Sequence, residues 1–89
     1  HVPMIAVWPG VFNPGERTSA FVSTVDLLPT ILDATSQAVP GGLHGRSMRH
    51  TLDAKQHREF LATEFHFHGV SPFFPRRTIR DARYKLIHN

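Results

Sequence analysis

The sequence predicts a mixed α/β (α+β) fold: an apolar strand, one short helix, then antiparallel strands. Three observations predict it. Val2 to Trp8 is a brief apolar run closed by Pro9-Gly10, too short for a globular helix. Val25, Leu28, Ile31 and Leu32 then recur at helical spacing behind Ser23 and Thr24. Finally, residues 60–68 alternate in character, and residues 76–88 break only at Asp81-Ala82, as a hairpin would.

Each element has a local reason. The β-branched residues of the first run favour a buried strand, with Pro3 near its start because proline cannot donate to a ladder. Pro14-Gly15 marks a turn, and Ser19 to Val22 reads as a second short extended segment. The helix begins at Ser23 or Thr24. Asp26, three residues after Ser23, supplies a short-chain version of the capping box. Pro29 lies inside that helix, so either the first turn is irregular or the helix restarts near the proline. An end near Thr35 is followed by a loop over 36–46 carrying Pro40, Gly41, Gly42 and Gly45. Ser47 is placed to cap one further helical turn.

Composition bounds the function. The 89 residues are 40% apolar, which suits a small globular chain and argues against disorder throughout. With no Cys there is no disulfide framework, thiolate zinc site or thiol nucleophile, and the redox compartment stays open. Ten Lys and Arg against seven Asp and Glu give a formal charge of +3, mostly from eight arginines. No apolar run approaches the roughly 20 residues of a membrane span, and no basic stretch followed by an apolar one opens the chain. The chain opens without Met and closes on a strand-like Tyr84 to Asn89, so it reads as a segment of a longer protein. Such a segment is expected to expose apolar edges and to associate through them, with itself or with the remainder of its parent.

Two features carry chemistry. Glu64, His66 and His68 form E-x-H-x-H, which in a strand puts three potential ligands on one face. A fourth ligand is not identifiable, and a polar strand surface explains the same pattern. The second feature is the basic run Arg76, Arg77, Arg80, Arg83 and Lys85. A guanidinium pairs two oxygens at once, so such a run suits sulfate, phosphate or carboxylate. Strand alternation divides these cations between two faces, leaving a solvated hairpin as the plain alternative. Among partners, an anionic small molecule or saccharide is expected over nucleic acid, and a small basic module binding a polyanion, sulfated glycan or nucleic acid, is the competing function. The other histidines show no informative spacing, Asp26 reads as a helix-start residue, and Trp8 reads as a packing group.

Several blocks, in order, resemble the sulfatases of the alkaline-phosphatase-like superfamily. They are V-P-x-I-x-x-W-P-G (Val2 to Gly10), V-S-x-x-D-L-x-P-T (Val22 to Thr30), Gly45-Arg46-Ser47, and R-x-x-R-x-x-R-Y-K-L-I (Arg77 to Ile87). The TEFHFHG and FFPRRTIRD blocks are most similar to the N-sulfoglucosamine sulfohydrolase, or heparan N-sulfatase, branch. The resemblance implies a parent that hydrolyses sulfate esters or sulfamates on a saccharide, using formylglycine and calcium. It implies that residues 1–52 are the last strand and helix of the large catalytic domain, and that 53–89 begin the small C-terminal sheet. It also implies a periplasmic, secreted or lysosomal setting. The formylglycine precursor and the metal ligands lie upstream in the family, so this segment is expected to hold no catalytic residue, metal or cofactor and to be inactive alone. What remains is a substrate-facing role, in which His66 and His68 meet sugar hydroxyls and Arg76 or Arg77 meets a sulfate or carboxylate.

Overall fold

The structure, a computed structural model, describes residues 2–51, 57–66 and 75–89. These form two compact units, His1–His57 and Arg58–Asn89. The first holds a 3-10 turn (Thr24–Asp26), helix α1 (Leu27–Ala34) and a second 3-10 turn (Met48–His50). The second is an antiparallel sheet of β1 (Leu61–Phe65), β2 (Arg76–Arg80) and β3 (Lys85–His88), in that order across the sheet.

In the first unit the helix start is built around a carboxylate. Asp26 is fully buried, and its Oδ2 accepts the Ser23 N–H at 2.9 Å, so the aspartate returns to cap the turn it terminates. Oδ1 accepts the Arg46 N–H at 2.9 Å, and His57 Nε2 lies 3.3 Å from Oδ2. One side chain thereby ties the helix start to residues 20 and 31 positions further on. The Pro29 conflict resolves as an irregular first turn. The backbone enters through the 3-10 turn, and Pro29 occupies the third position of α1, where an N–H would have no intrahelical partner. Pro29 is itself buried.

A second polar layer repeats the device one turn along. Thr30 Oγ1 donates to the Asp26 carbonyl at 2.6 Å and accepts the Met48 N–H at 3.0 Å. Asp33 accepts from Ser47 Oγ and from Arg49 Nε, the latter at 3.1 Å. The Ser47 hydroxyl also accepts the Arg49 N–H, capping the second 3-10 turn as its position suggested. The Arg49 guanidinium lies 4.9 Å from the centre of the Trp8 ring, a cation–π contact, and Trp8 meets Phe12 edge to face at 5.8 Å. The helix ends in a Schellman arrangement. The Ser36 N–H reaches the Asp33 carbonyl, the Gln37 N–H reaches the Leu32 carbonyl, and Ser36 takes the left-handed φ of 57° usually given to glycine.

One expected element does not form. Val2 to Trp8 makes no strand; residues 2–8 carry no ladder hydrogen bond among the described residues. The physical reason is that a strand is a property of a pair. Val2, Ile5 and Val7 are 91%, 93% and 84% exposed, so nothing described in this unit covers them. The turn after the run is as expected: Val11 and Phe12 donate to the Trp8 carbonyl around Gly10, whose φ is 80°. Met48 is the only apolar side chain of a non-proline residue that is buried among the described residues. Polar ties, more than a core, organise the unit.

The sheet has a simple register. Leu61 pairs with Arg80 and Phe65 with Arg76; Arg77 pairs with His88 and Arg80 with Lys85. Asp81 closes the β2–β3 connection, accepting the Arg83 and Tyr84 N–H groups on Oδ1 while its own N–H reaches the Tyr84 carbonyl at 3.0 Å. Those two amides hold the Asp81 carboxyl below the usual carboxylate range.

Two outcomes follow for stability, both read by chemical denaturation of the full-length protein. Asp26→Ala strands buried donors at about 1–3 kcal/mol apiece, so a loss of several kcal/mol is expected. A Cβ on Gly45 would overlap the Val25 carbonyl oxygen, which belongs to rigid helix-start backbone. Gly45→Ala should therefore cost about 1–3 kcal/mol by overpacking.

Candidate functional site

The sheet assembles a mixed acid–base cluster that borders an open hollow. Strand alternation and register put Glu64, Arg77 and His88 in one row across β1, β2 and β3. The next row on the same face is Ala62, Ile79 and Leu86. Together these six residues line an open hollow of about 230 Å³. His66, two residues beyond Glu64, joins from just past the end of β1, with its Nε2 2.9 Å from Glu64 Oε2. Arg77 Nε lies 3.5 Å from Glu64 Oε1. Glu64 therefore stands between two nitrogen donors. The His66 hydrogen bond first, and the Arg77 charge second, hold its carboxyl below the usual carboxylate range.

The opposite face carries Arg76, Arg80 and Lys85. Arg76 pairs with Phe65 and Arg80 with Lys85, and the Thr63 and Thr78 hydroxyls hydrogen-bond between them. The structure thus brings His66 and Arg77 together through Glu64 and sends Arg76 to the other side. His68 lies outside the described residues, and with it the completed E-x-H-x-H pattern.

Four of the chain's seven acids are engaged by the chain's own groups. Asp26 is committed to Ser23, Arg46 and His57, Asp33 to Ser47 and Arg49, and Asp81 to two backbone amides. Glu64 is held by His66 and Arg77. No three His, Asp or Glu side chains converge as a metal centre among the described residues. The chain has no Cys, and no Ser stands in an S-x-P-S-R setting from which formylglycine is made.

Sequence reasoning passed over His57, Thr30 and the Asp33–Ser47–Arg49 tie. His57 reaches Asp26 across 31 positions, and no local pattern signals that contact. The Glu64–Arg77 pairing joins β1 to β2, a strand pairing that sequence patterning did not assign, and it becomes readable once the register is known.

Comparison with known proteins gives the class first: the relatives of this chain are sulfatases. The chain belongs to the family described as N-sulphoglucosamine sulphohydrolase, C-terminal, whose model matches residues 1–89. It is 32% identical over 96 residues to an ulvan-active sulfatase of Formosa agariphila, covering 99% of this chain and 18% of that protein. It is 29% identical over 103 residues to the human N-sulphoglucosamine sulphohydrolase, with 92% and 20% covered, and 35% identical over 93 residues to zebrafish (Danio rerio) arylsulfatase K, with 98% and 17% covered. The chain thus spans about a fifth of the length of these curated relatives.

The depressed Glu64 carboxyl has a direct check. A group whose folded pKa is lowered keeps its contribution above the unfolded value and loses it as pH falls through the folded one. In a carbon-detected NMR titration of the full-length protein, the Glu64 midpoint should lie below that of an ordinary glutamate. His66→Ala should move it upward, and an unmoved midpoint would mean that the hydrogen bond is not its cause.

Proposed function

We propose that these residues are the C-terminal part of a sulfatase that hydrolyses sulfate esters or N-sulfamates on a saccharide. The observation that carries the reading is the end-to-end family match, joined to an apolar surface that the described residues leave exposed. Val2, Ile5 and Val7 are exposed, as are Leu27, Leu28 and Ile31 of α1. An open hollow of about 320 Å³ lies among Met4, Trp8, Phe12, Leu27, Ile31 and Met48. An apolar surface of this kind suits contact with more protein. On this reading residues 1–52 complete a larger catalytic domain as its last strand and helix, with Val2 to Trp8 gaining the strand partner absent here. Residues 53–89 begin a smaller C-terminal sheet. Formylglycine and calcium belong to the rest of the parent, and the segment contributes substrate contacts from His66, His68 and one of Arg76 and Arg77.

The test compares the full-length protein with the isolated segment on an aryl sulfate and on an N-sulfated glucosamine. Turnover by the first and none by the second is expected. Turnover by the isolated segment, or none by the full-length protein, would overturn the reading.

A second reading, a polyanion-binding module, draws on the charge distribution. Residues 58–89 hold six Lys and Arg against three Asp and Glu, while residues 1–57 hold four of each. The whole excess of +3 therefore lies in the sheet unit. On that reading the isolated segment is a stable monomer that binds heparin with affinity falling steeply with salt. Aggregation, or binding indifferent to salt, would exclude it.

A further inference from the structure

Arg76 and Arg77 are adjacent in sequence but open onto opposite faces of the sheet, and the hollow lined by Glu64, Arg77 and His88 lies on the Arg77 face. On the Arg77 face a hollow of about 230 Å³ has an apolar floor of Ala62, Ile79 and Leu86 and a polar side of Glu64, Arg77 and His88. Its size is below the roughly 300–1,000 Å³ of sites for drug-sized molecules, which suits one small ring. The hydrogen-bond chemistry narrows the ligand further. A carboxylate only accepts, so the His66 Nε2 facing Glu64 is the donor, and in the Nε2–H tautomer Nδ1 is an acceptor. Glu64 also takes the Nε side of Arg77, and the two terminal nitrogens of that guanidinium have no partner among the described residues. These are a forked cation for a pair of anionic oxygens and a ring nitrogen for a hydroxyl hydrogen.

We propose that the Glu64–Arg77–His88 face is a binding site for a monosaccharide unit bearing a sulfate or carboxylate beside a free hydroxyl. Arg77 takes the anionic group through its terminal nitrogens, and His66 Nδ1 accepts the hydroxyl. The C–H face of the ring lies over Ala62, Ile79 and Leu86. Glu64 is the positioning residue that holds both contacts in place. The ligand class rests on the reading of the parent as a saccharide-directed sulfatase; the choice of face and of Arg77 over Arg76 rests on the sheet alone.

The test measures binding of glucose 6-sulfate, glucuronate and glucose to the full-length protein by ligand-observed NMR. Both anionic sugars should bind at least about tenfold more tightly than glucose, as a charge-assisted bidentate contact provides. The comparison between the two shows whether sulfate or carboxylate is the better group. Arg77→Ala should abolish the preference, while Lys85→Ala, which removes an equal charge from the opposite face, should retain it. Glu64→Ala should weaken binding several-fold, and Glu64→Gln, which keeps an acceptor for His66, should restore most of it. Equal losses in Arg77→Ala and Lys85→Ala, a larger loss in Arg76→Ala, or no preference for anionic sugars would overturn the assignment. Aryl sulfate turnover by the unmodified protein tests the parent reading separately, so binding without turnover would remove that reading and leave this site standing.

Discussion

The first unit depends on one buried carboxylate. Asp26 has no exposure to solvent, and a bare carboxylate there would be untenable, so it must collect donors. Those donors come from three places in the chain: the Ser23 amide before the helix, the Arg46 amide in the glycine-rich loop and the His57 ring. Meeting that requirement fixes where the loop crosses the helix start. Gly45 is then forced to be glycine because the crossing brings it against the Val25 carbonyl. Thr30 and Asp33 continue the seam along α1 by reaching Met48, Ser47 and Arg49. A hydrogen bond nets only about 0.5–1.5 kcal/mol, but stranding its buried partner costs more. The seam therefore sets geometry more strongly than it sets total stability.

This division of labour explains why α1 has an apolar stripe yet keeps it exposed. Polar contacts with the loop consume one side of the helix, and Leu27, Leu28 and Ile31 remain 43%, 53% and 58% exposed. The unit is ordered internally by hydrogen bonds while its hydrophobic surface is available outward. In a self-contained domain of this size, apolar burial would be the main source of stability. Here that resource faces away from the residues described.

How much of this was legible in the sequence follows from the range of each interaction. Short-range signals carried through: the Ser23-to-Asp26 spacing, the Ser47 cap and the Pro-Gly turns correspond to structure, and the strands read over 60–68, 76–80 and 83–88 appear as β1, β2 and a shorter β3. The helix end at Thr35 did as well, even with Ser36 in the glycine position. Signals that need a partner did not. The run Val2 to Trp8 has the composition of a strand, but composition cannot provide a neighbour to pair with. His57 had no pattern because its partner is 31 positions away. At the candidate site, His66 was visible from its spacing to Glu64, whereas the bond to Arg77 waited on register.

Register also changes the meaning of the positive charge. Counted along the sequence, Arg76, Arg77, Arg80 and Lys85 form one basic run; counted by face, they form two different surfaces. On one face Arg76, Arg80 and Lys85 stand with Thr63, Thr78 and Ile87 and with no acid among the strand positions, a surface suited to diffuse attraction of anions. Arg80 and Lys85 are directly opposed there, a like-charge pairing that a sheet tolerates only at a cost. On the other face the single Arg77 is matched by Glu64, flanked by His66 and His88 and set beside an apolar floor. A lone oriented cation with its counter-ion attracts little at long range, but it fixes the direction of every donor at short range. Directed donors discriminate among ligands better than summed charge does, so the saccharide site we propose falls on the face with less positive charge.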